Sequence, residues 1–262
     1  MIRALYSAAS GMTAQQLNVD NIANNLANAN TAGYKMRRAQ FQDLLYQSIV
    51  QPGAAAGQQT VVPTGLHLGL GTRASANEII FTQGSFLATD NPLDLVIQGR
   101  GFFQVRRPTG DIAYTRAGSF HLDRDGSLVT SDGDPIEPQI TIPPDAQSIT
   151  IAPDGTVSYS QTGQSAVQQA GQIQLANFQN PAGLNSIGRN LFTQTDAAGD
   201  PTVANPGGTE GLGSLLQGSV EQSNVSVVDE FISLITAQRA YEANSKVVKA
   251  ADEMYQQVNN LR

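Results

Sequence analysis

The sequence predicts an α+β fold, with a helix at each end of the chain and β-structure between them. Near the N-terminus, apolar and small residues recur at alternating steps of three and four positions, the spacing of one stripe of a helix. These positions are Ile2, Leu5, Ala9, Met12, Gln16, Val19, Ala23 and Leu26. The spacing returns near the C-terminus at Ala240, Asn244, Val247, Ala251, Met254, Val258 and Leu261. We therefore expect the terminal helices to form a coiled-coil-like hairpin core that carries an inserted all-β domain.

The first helix is predicted from about residue 2 to about Asn30. It is expected to stop there because Gly33 adopts the left-handed conformation at no steric cost. The segment from Met36 to Val50 is predicted to extend this helix or to form a short separate one, which Pro52-Gly53 then ends. Residues 51–72 are rich in Gly, Ala, Gln, Thr and Pro, and this composition favours an extended loop or a hairpin.

Short runs of β-favouring residues, separated by turn residues, follow from Asn77 to Val157. Hairpin turns are marked by the dipeptides Asp125-Gly126, Asp132-Gly133 and Asp154-Gly155, because these residues tolerate the positive φ of such turns. Residues 195–218 are dense in Gly and small polar residues, which is typical of a linker. The final helix is predicted to begin near Ser226, with Ser226 or Asn224 as its cap, and to run almost to Arg262.

Three regions are predicted from this order of elements. Residues 1–45 and 220–262 are expected to form a discontinuous helical core domain. Residues 46–76 and 185–219 are expected to form an extended or hairpin-like connecting region, and residues 77–184 an outer β-rich domain.

Composition narrows the class of function. The 262 residues carry a formal net charge of −7, which argues against a nucleic-acid partner because phosphate binding relies on clustered cations. The cluster of Lys35, Arg37 and Arg38 is small, and we expect it to be a solvated helix or loop end. The chain has no cysteine, which excludes disulfides, thiolate metal sites and a cysteine nucleophile.

No stretch approaches the roughly 18 apolar residues that a membrane-spanning helix needs. The first two turns after Met1 are too polar for the apolar region of a cleavable secretory signal. A cytoplasmic location is the expectation from these features, unless another export route applies.

Two short patterns suggest ligand sites but fail in detail. The segment Asp123-Arg124-Asp125-Gly126 has the carboxylates of a calcium loop, yet its Gly and its twelfth residue, Asp134, do not match an EF-hand. We expect a hairpin turn there. The segment from Gly69 to Ala74 partly matches the dinucleotide fingerprint but has no visible βαβ context. We expect no cofactor and no metal.

No catalytic residue stands out either. His67 and His121 could serve as a base beside a serine, but neither lies in a recognisable nucleophile elbow. A carboxylate pair for glycoside hydrolysis stays open, because the separation of two carboxylates is a property of the fold. The triplet Asn224-Val225-Ser226 matches a glycosylation acceptor, although a helix cap is the favoured interpretation.

Four sequence blocks resemble the signature of bacterial flagellar rod and hook proteins. The first is ANNLANANTAGYK, from Ala23 to Lys35. The others are LDLVIQGRGFF from Leu93 to Phe103, YTRAGSF from Tyr114 to Phe120, and QRAYEANSK from Gln238 to Lys246. Their order and spacing cover nearly the whole chain. The resemblance implies a structural, non-enzymatic subunit of the flagellar axis.

Within this family, the chain resembles distal rod subunits more than proximal rod or hook subunits, on account of its length and of an insertion that starts at Tyr46. The resemblance implies a tubular polymer of the basal body that spans the periplasm to the outer membrane and transmits torque from the motor to the hook. The implied partners are copies of the chain itself, other rod subunits, the hook protein, the L-ring and P-ring proteins, and the flagellar type III export apparatus. Export through that apparatus would need no cleavable signal peptide.

Two sets of residues are candidates for assembly. Ten positions are expected to pack against one another and against neighbouring subunits: Leu5, Met12, Val19, Leu26, Phe231, Leu234, Val247, Met254, Val258 and Leu261. The insertion is expected to bridge neighbours and keep the rod straight through Tyr46, Gln47, Ile49, Gln51, Pro52, Val61, Val62 and Pro63. Ala-rich helices bury little apolar area, so the termini are expected to be partly disordered before assembly.

Two alternatives remain at this level. One is another axial subunit of the flagellum, from the proximal rod or the hook. The other is a secreted peptidoglycan hydrolase whose β-domain carries a carboxylate site. A hydrolase would show a polar cleft with at least one carboxylate of perturbed pKa, whereas a rod subunit would show terminal helices with unpaired apolar surface.

Overall fold

The computed structural model describes residues 2–53, 63–161, 166–208 and 211–260. Both terminal helices are present and the region between them is rich in strands, so the predicted α+β class is confirmed. The chain divides into two compact units. Unit 1 comprises residues 1–27, 37–79 and 226–262, and unit 2 comprises residues 28–36 and 80–225. The finer division into three regions stays a prediction.

The two helices of unit 1 lie antiparallel. Helix α1 spans Ile2–Ala27 and helix α2 spans Val227–Asn260. A β-carbon added to Gly11 would stand 2.8 Å from the side-chain amide nitrogen of Asn244. The helices approach this closely because most of the apolar residues that they bury are small. Those residues are Ala8, Ala14, Ala237 and Ala251, with Ile22 as a larger buried side chain.

The ends of both helices fall near the predicted positions. Helix α1 ends at Ala27, and Gly33 has a φ of +72°, which is the left-handed conformation expected of a residue after a helix stop. Helix α2 begins just after Ser226, whose hydroxyl accepts a hydrogen bond from the backbone N–H of Asp229 at 3.5 Å. Ser226 is therefore the cap, whereas the Asn224 side chain binds elsewhere in unit 2.

A two-stranded antiparallel ribbon forms the rest of unit 1. Its strands are β1 (Arg37–Asp43), β2 (Tyr46–Val50), β3 (Leu66–Gly69) and β4 (Thr72–Ile79). Strand β1 pairs with β4 at the base of the ribbon, and β2 pairs with β3 at its tip. The prediction of a helix from Met36 to Val50 is therefore wrong. Phe41, Leu44 and Leu45 have helical spacing, but pairing with a strand some thirty residues later overrides that local preference.

The ribbon base is fastened to α1 by polar side chains. The hydroxyl of Ser10 accepts a hydrogen bond from the backbone of Thr72 at 3.2 Å. Farther along the helix, the Asn21 side chain accepts one from the Asn77 side chain at 2.8 Å. These two contacts lie about three turns apart on α1, so the base of the ribbon follows the helix axis.

Unit 2 consists of short strands and one 3₁₀ turn at Pro181–Gly183. The strands are β5 (Phe86–Ala88), β6 (Leu95–Gln98), β7 (Phe102–Arg106), β8 (Ile112–Thr115), β9 (Phe120–Leu122), β10 (Leu128–Thr130), β11 (Ala146–Ile151), β12 (Thr156–Gln161), β13 (Gln168–Gln172), β14 (Leu175–Asn177), β15 (Asn185–Gly188), β16 (Leu191–Thr193), β17 (Thr202–Ala204), β18 (Ser214–Gln217) and β19 (Ser219–Glu221). A six-stranded sheet has the order β15-β16-β8-β7-β14-β17, and a three-stranded sheet has the order β11-β12-β13. Strands β9 and β10, β6 and β18, and β5 and β19 form separate antiparallel pairs.

Aliphatic and aromatic side chains from these strands form the core of unit 2. The rings of Phe103 and Phe120 meet edge to face, with centroids 5.1 Å apart. Buried neighbours in the same cluster are Leu95, Ile97, Leu128, Ile136, Ile140, Ile142, Ile151, Val157, Ile173, Leu175, Leu212 and Leu215. This cluster supplies the large buried apolar area that the Ala-lined contact between α1 and α2 lacks.

The turn at Asp125-Gly126 connects β9 to β10, as predicted for a hairpin. The backbone N–H of Asp123 donates to the carbonyl of Ser127 at 2.9 Å, and Gly126 has a φ of +76°. A β-carbon at Gly126 would lie 2.1 Å from the carbonyl oxygen of Ile142, so this position requires glycine. Within the described ranges, neither helix has a stretch apolar and long enough to cross a membrane.

Candidate assembly surface

The first turns of α2 carry a stripe of exposed apolar side chains. Val228, Phe231, Ile232 and Ile235 have the i, i+3, i+4, i+7 spacing of one helix face, and Val228 is 68% exposed. Such a face is normally buried in a soluble protein. We call these four residues the α2 stripe. Phe231 is among the assembly positions predicted from the sequence. The other three are not, although the same spacing rule identifies them.

The other predicted assembly positions are described in part. Leu5, Met12, Val19 and Leu26 on α1 are half-buried, as is Leu234 on α2. Val247 and Met254 are about half exposed. Leu261 and the side chain of Val258 lie outside the described residues. The role of these positions in assembly stays a prediction.

A shallow groove runs between α1 and α2 near the middle of the pair. It is lined by Gln16, Val19, Gln238, Tyr241 and Glu242. Its walls combine an aromatic ring and an aliphatic side chain with polar amides and a carboxylate. A groove of this kind can receive side chains from another helix.

The tip of the ribbon forms a second exposed apolar surface. Leu45 is 86% exposed, and Tyr46, Ile49, Leu66 and Leu68 are also exposed. The Asp43 carboxylate raises the pKa of the Tyr46 hydroxyl through a hydrogen bond and through its charge.

Among the other predicted insertion residues, Gln47, Gln51, Pro52 and Pro63 are exposed, while Val61 and Val62 lie outside the described residues. A two-stranded ribbon with this surface has little stability of its own in water.

Asn25 joins three elements of unit 1. Its side-chain amide donates to the Arg37 carbonyl at 2.8 Å and accepts from the Arg37 N–H at 2.9 Å, which continues the pairing of the ribbon base. The same amide donates to the Glu230 carboxylate at 3.3 Å. Burial raises the pKa of Glu230, the hydrogen bond from Asn25 opposes this, and the charge of Asp229 adds to it. Asn25 thus fixes α1 against both α2 and β1.

An ionic cluster is buried in unit 2. The ammonium of Lys35 lies 2.5 Å from one oxygen of the Glu221 carboxylate and donates to the Thr82 carbonyl at 2.8 Å. The guanidinium of Arg116 lies 3.5 Å from the other oxygen of Glu221. All three side chains are at most 5% exposed. Burial lowers the pKa of Lys35 and of Arg116, and the charge of Glu221 opposes both shifts.

The expectation of a solvated end at Lys35 is therefore wrong. Its partner Glu221 lies 186 positions away in the sequence, so no local sequence pattern indicates that the two residues form an ion pair. Lys35 and Arg116 do occur within two of the recognised sequence blocks, whereas Glu221 was not singled out at all. Arg37 and Arg38, by contrast, are only partly covered or exposed.

The described residues show no arrangement typical of an enzyme. No group of three or more His, Cys, Asp or Glu side chains in the described part of the chain could hold a metal ion. His67 lies on β3 and His121 on β9, and both are exposed. The segment from Gly69 to Ala74 turns from β3 directly into β4, so it has no helix after it and does not fit a dinucleotide site.

Three family models match parts of the chain. The model described as "Flagella basal body rod protein" matches residues 5–35. The model "Flagellar hook protein FlgE/F/G D1 domain" matches residues 96–159, and "Flagellar basal body rod FlgEFG protein C-terminal" matches residues 216–261. Helix α1, a large part of unit 2 and helix α2 are therefore each similar to segments of flagellar axial proteins.

Curated relatives match over the full length. The chain is 51% identical over 262 residues to the flagellar basal-body rod protein FlgG of Caulobacter vibrioides, with all of both chains covered. It is 46% identical over 264 residues to the protein of that name in Borreliella burgdorferi, covering all of this chain and 99% of the relative. With the Bacillus subtilis protein it shares 41% identity over 267 residues, again with full coverage of both.

Replacing Glu221 with Gln should strongly destabilise unit 2. The change leaves two cations buried without their counter-charge, and breaking a buried ion pair in this way costs about 3–5 kcal/mol. Urea denaturation of the full-length chain measures the loss. Glu137→Gln is the matched control, because its partner Arg106 is more than half exposed and such pairs contribute less than about 1 kcal/mol. Equal losses in the two variants would contradict the burial argument.

Glu230 should make the helix pair less stable as pH rises. Its folded pKa lies above the ordinary value of 4.5, so between these two values the folded chain binds more protons than the unfolded chain. Stability should therefore fall across the window that starts near pH 4.5 and ends at the raised pKa. Thermal unfolding followed by circular dichroism at 222 nm, from pH 4 to 7, measures this slope. Glu230→Gln should flatten it, and Glu253→Gln, at an exposed position of α2, should not.

Proposed function

Because the chain belongs to the FlgG family of flagellar basal-body rod proteins, we propose that it is a structural subunit of the distal rod and polymerises into a tubular drive shaft. The family is structural and non-enzymatic. In this role the chain transmits torque from the motor to the hook. Support for this comes from relatives that share 41–51% identity over the whole chain.

The observation that carries the proposal is the unpaired α2 stripe. Fully burying a side chain such as Val, Ile or Phe contributes about 1.5–3 kcal/mol, and these side chains are roughly half exposed in the monomer. Covering four of them gains several kcal/mol for each subunit contact. Contacts that join two different surfaces, and do not close into a ring, generate a helical filament when they repeat. The stripe is therefore suited to an open polymer.

The terminal helices supply the inner core of this polymer. We assign the ten predicted positions on α1 and α2 to contacts within a coiled-coil-like hairpin and between neighbouring hairpins. The Ala-lined contact between α1 and α2 buries little apolar area, which supports the view that isolated termini order fully only on assembly. The predicted outer β-rich domain, residues 77–184, is assigned to the outer surface of the polymer.

The ribbon tip bridges neighbouring subunits and keeps the polymer straight. Its exposed apolar side chains and its low intrinsic stability as a two-stranded element support a role in which a neighbour covers it. The residues assigned to this role are the predicted insertion positions from Tyr46 to Pro63.

The remaining partners follow from the family. They are other rod subunits, the hook protein, the L-ring and P-ring proteins that surround the rod, and the flagellar type III export apparatus. The location is the basal body, in the part that spans the periplasm to the outer membrane. An acidic chain with a net charge of −7 suits a shaft that turns inside a ring without strong adhesion.

The sequence-level alternatives are less well supported. A peptidoglycan hydrolase is not favoured, because the family is structural and non-enzymatic. A proximal rod or hook subunit is less favoured because relatives named as the rod protein FlgG match over their full length.

Replacing Ile232 and Ile235 with Ser should block polymerisation without unfolding the chain. Ser has nearly the helix propensity of Ile, so α2 should persist while the apolar stripe is lost. A loss of about 2–3 kcal/mol per contact raises the critical concentration roughly 30- to 150-fold. Sedimentation and electron microscopy measure this, with circular dichroism to verify folding. The control pair is Leu122→Ser with Val203→Ser, apolar residues of unit 2 that are 40% and 43% exposed, against 58% and 56% for Ile232 and Ile235. A similar effect in the control would contradict the assignment.

Removing the ribbon tip should yield curved polymers. The variant replaces residues 46–69 with an Asn-Gly turn that closes β1 onto β4. Assembly should continue through the helices, while the loss of the bridge between neighbours lets the tube bend. Electron micrographs give the curvature. A variant with a Gly/Ser sequence of the original length separates the effect of contacts from the effect of length, and straight tubes from both variants would overturn the role of the tip.

A further inference from the structure

The chain crosses from one unit to the other at four points, which follow residues 27, 36, 79 and 225. We call these points passages. On the unit 2 side of these points lie three segments, namely residues 28–36, 80–85 and 219–225. Every force that one unit exerts on the other through the covalent chain passes along these segments. The hydrogen bonds inside unit 2 show how they are held.

Asn224 binds two of the other passages through a single side chain. Its carbonyl oxygen accepts a hydrogen bond from the backbone N–H of Met36 at 2.7 Å. Its amide nitrogen donates to the carbonyl of Ile80 at 2.8 Å and to the hydroxyl of Thr82 at 2.9 Å. Ile80 in turn donates its N–H to the carbonyl of Met36 at 2.9 Å. The ends of three passages therefore meet at this one asparagine.

Glu221 fastens the same segments three residues earlier. Its carbonyl accepts a hydrogen bond from the N–H of Gly33 at 2.8 Å, and its carboxylate binds Lys35 of the same segment. The carboxylate also accepts from the N–H of Gly84 at 2.9 Å. Glu221 lies in segment 219–225, which precedes α2. It therefore joins segment 28–36, which follows α1, to segment 80–85, which follows β4.

We propose that Asn224 and Glu221 form a latch that holds the four passages of chain in one rigid arrangement. A displacement imposed on any one passage is then shared by all of them, instead of being absorbed by a hinge in a single strand. Glu221 and Lys35 are almost fully buried, so opening the latch would separate charges that have no solvent to replace their partners. Segments held together in this way resist small displacements relative to one another.

The mechanical use of the latch rests on the proposed function. In a drive shaft, flexibility in these three segments of each subunit would add up over the length of the polymer and delay the delivery of torque. A latch that holds the segments together in every subunit limits this flexibility. The latch itself, however, is a property of the single chain and can be tested without any polymer.

Hydrogen exchange on the full-length chain tests the latch. In Asn224→Ala, the Met36 amide should exchange about tenfold faster, because it loses its acceptor. The Ile80 amide donates to the Met36 carbonyl and should also exchange faster, because the Met36 backbone is no longer held. In Asn224→Asp, the carboxylate still accepts from Met36, so both amides should exchange more slowly than in Asn224→Ala. Asn185→Ala, an exposed asparagine on β15, is the control and should change neither amide.

The outcomes separate the latch from simple loss of stability. Faster exchange confined to segments 28–36, 80–85 and 219–225, with the core strands β7 and β8 unchanged, supports the proposal. Unchanged exchange in all three segments overturns it, and so does a uniform increase over the whole of unit 2, which would make Asn224 an ordinary stabilising residue. Because these readouts use the monomer, failure of the chain to polymerise would count against the proposed function and leave the latch standing.

Discussion

The constraint on which unit 1 depends is the small size of the side chains between α1 and α2. Alanines and Gly11 let the two helices approach closely, but they offer little apolar area to hold them together. Polar contacts compensate in part, above all the amide of Asn25, which binds both Glu230 and the backbone of Arg37. The larger apolar side chains, such as Ile232 and Ile235, point to the outside. The helix pair therefore leaves a stripe of large apolar side chains exposed.

Unit 2, in contrast to unit 1, is held together by large buried side chains. It buries a continuous cluster of aliphatic and aromatic side chains, and it also buries three charges, those of Lys35, Arg116 and Glu221. Isolated charges in such a place would be very costly. Backbone groups on several sides bind the cluster, including the carbonyls of Thr82 and Gly99, and Nε of Arg116 is left without a hydrogen-bond partner. These hydrogen bonds fix the loops around the cluster. An ionic centre thus gives precise geometry to segments that have no regular secondary structure.

Much of the fold could be predicted from the sequence because it follows from local spacing. Apolar residues at steps of three and four positions predicted the terminal helices, and the Asp-Gly dipeptides predicted turns such as the one at Gly126. The prediction of a helix from Met36 to Val50 was wrong. The strands of the ribbon have neither a buried face nor strict alternation of apolar and polar residues, and their apolar residues have helical spacing. Lys35 was misjudged since its partner lies far away in the chain. A contact between residues that are far apart in the chain cannot be recognised from a short stretch of sequence.

The exposed ribbon tip also restricts how the free subunit can be stored. An open strand edge flanked by Leu45, Tyr46 and Leu66 is a template on which any other extended chain can pair, whether or not it is the correct one. The risk of such mispairing rises with concentration, so a pool of waiting subunits would be hazardous. In the polymer proposed above, delivery of subunits one at a time to a growing end that covers the ribbon would limit such mispairing. The exposed ribbon would then favour growth from an existing end over nucleation in solution.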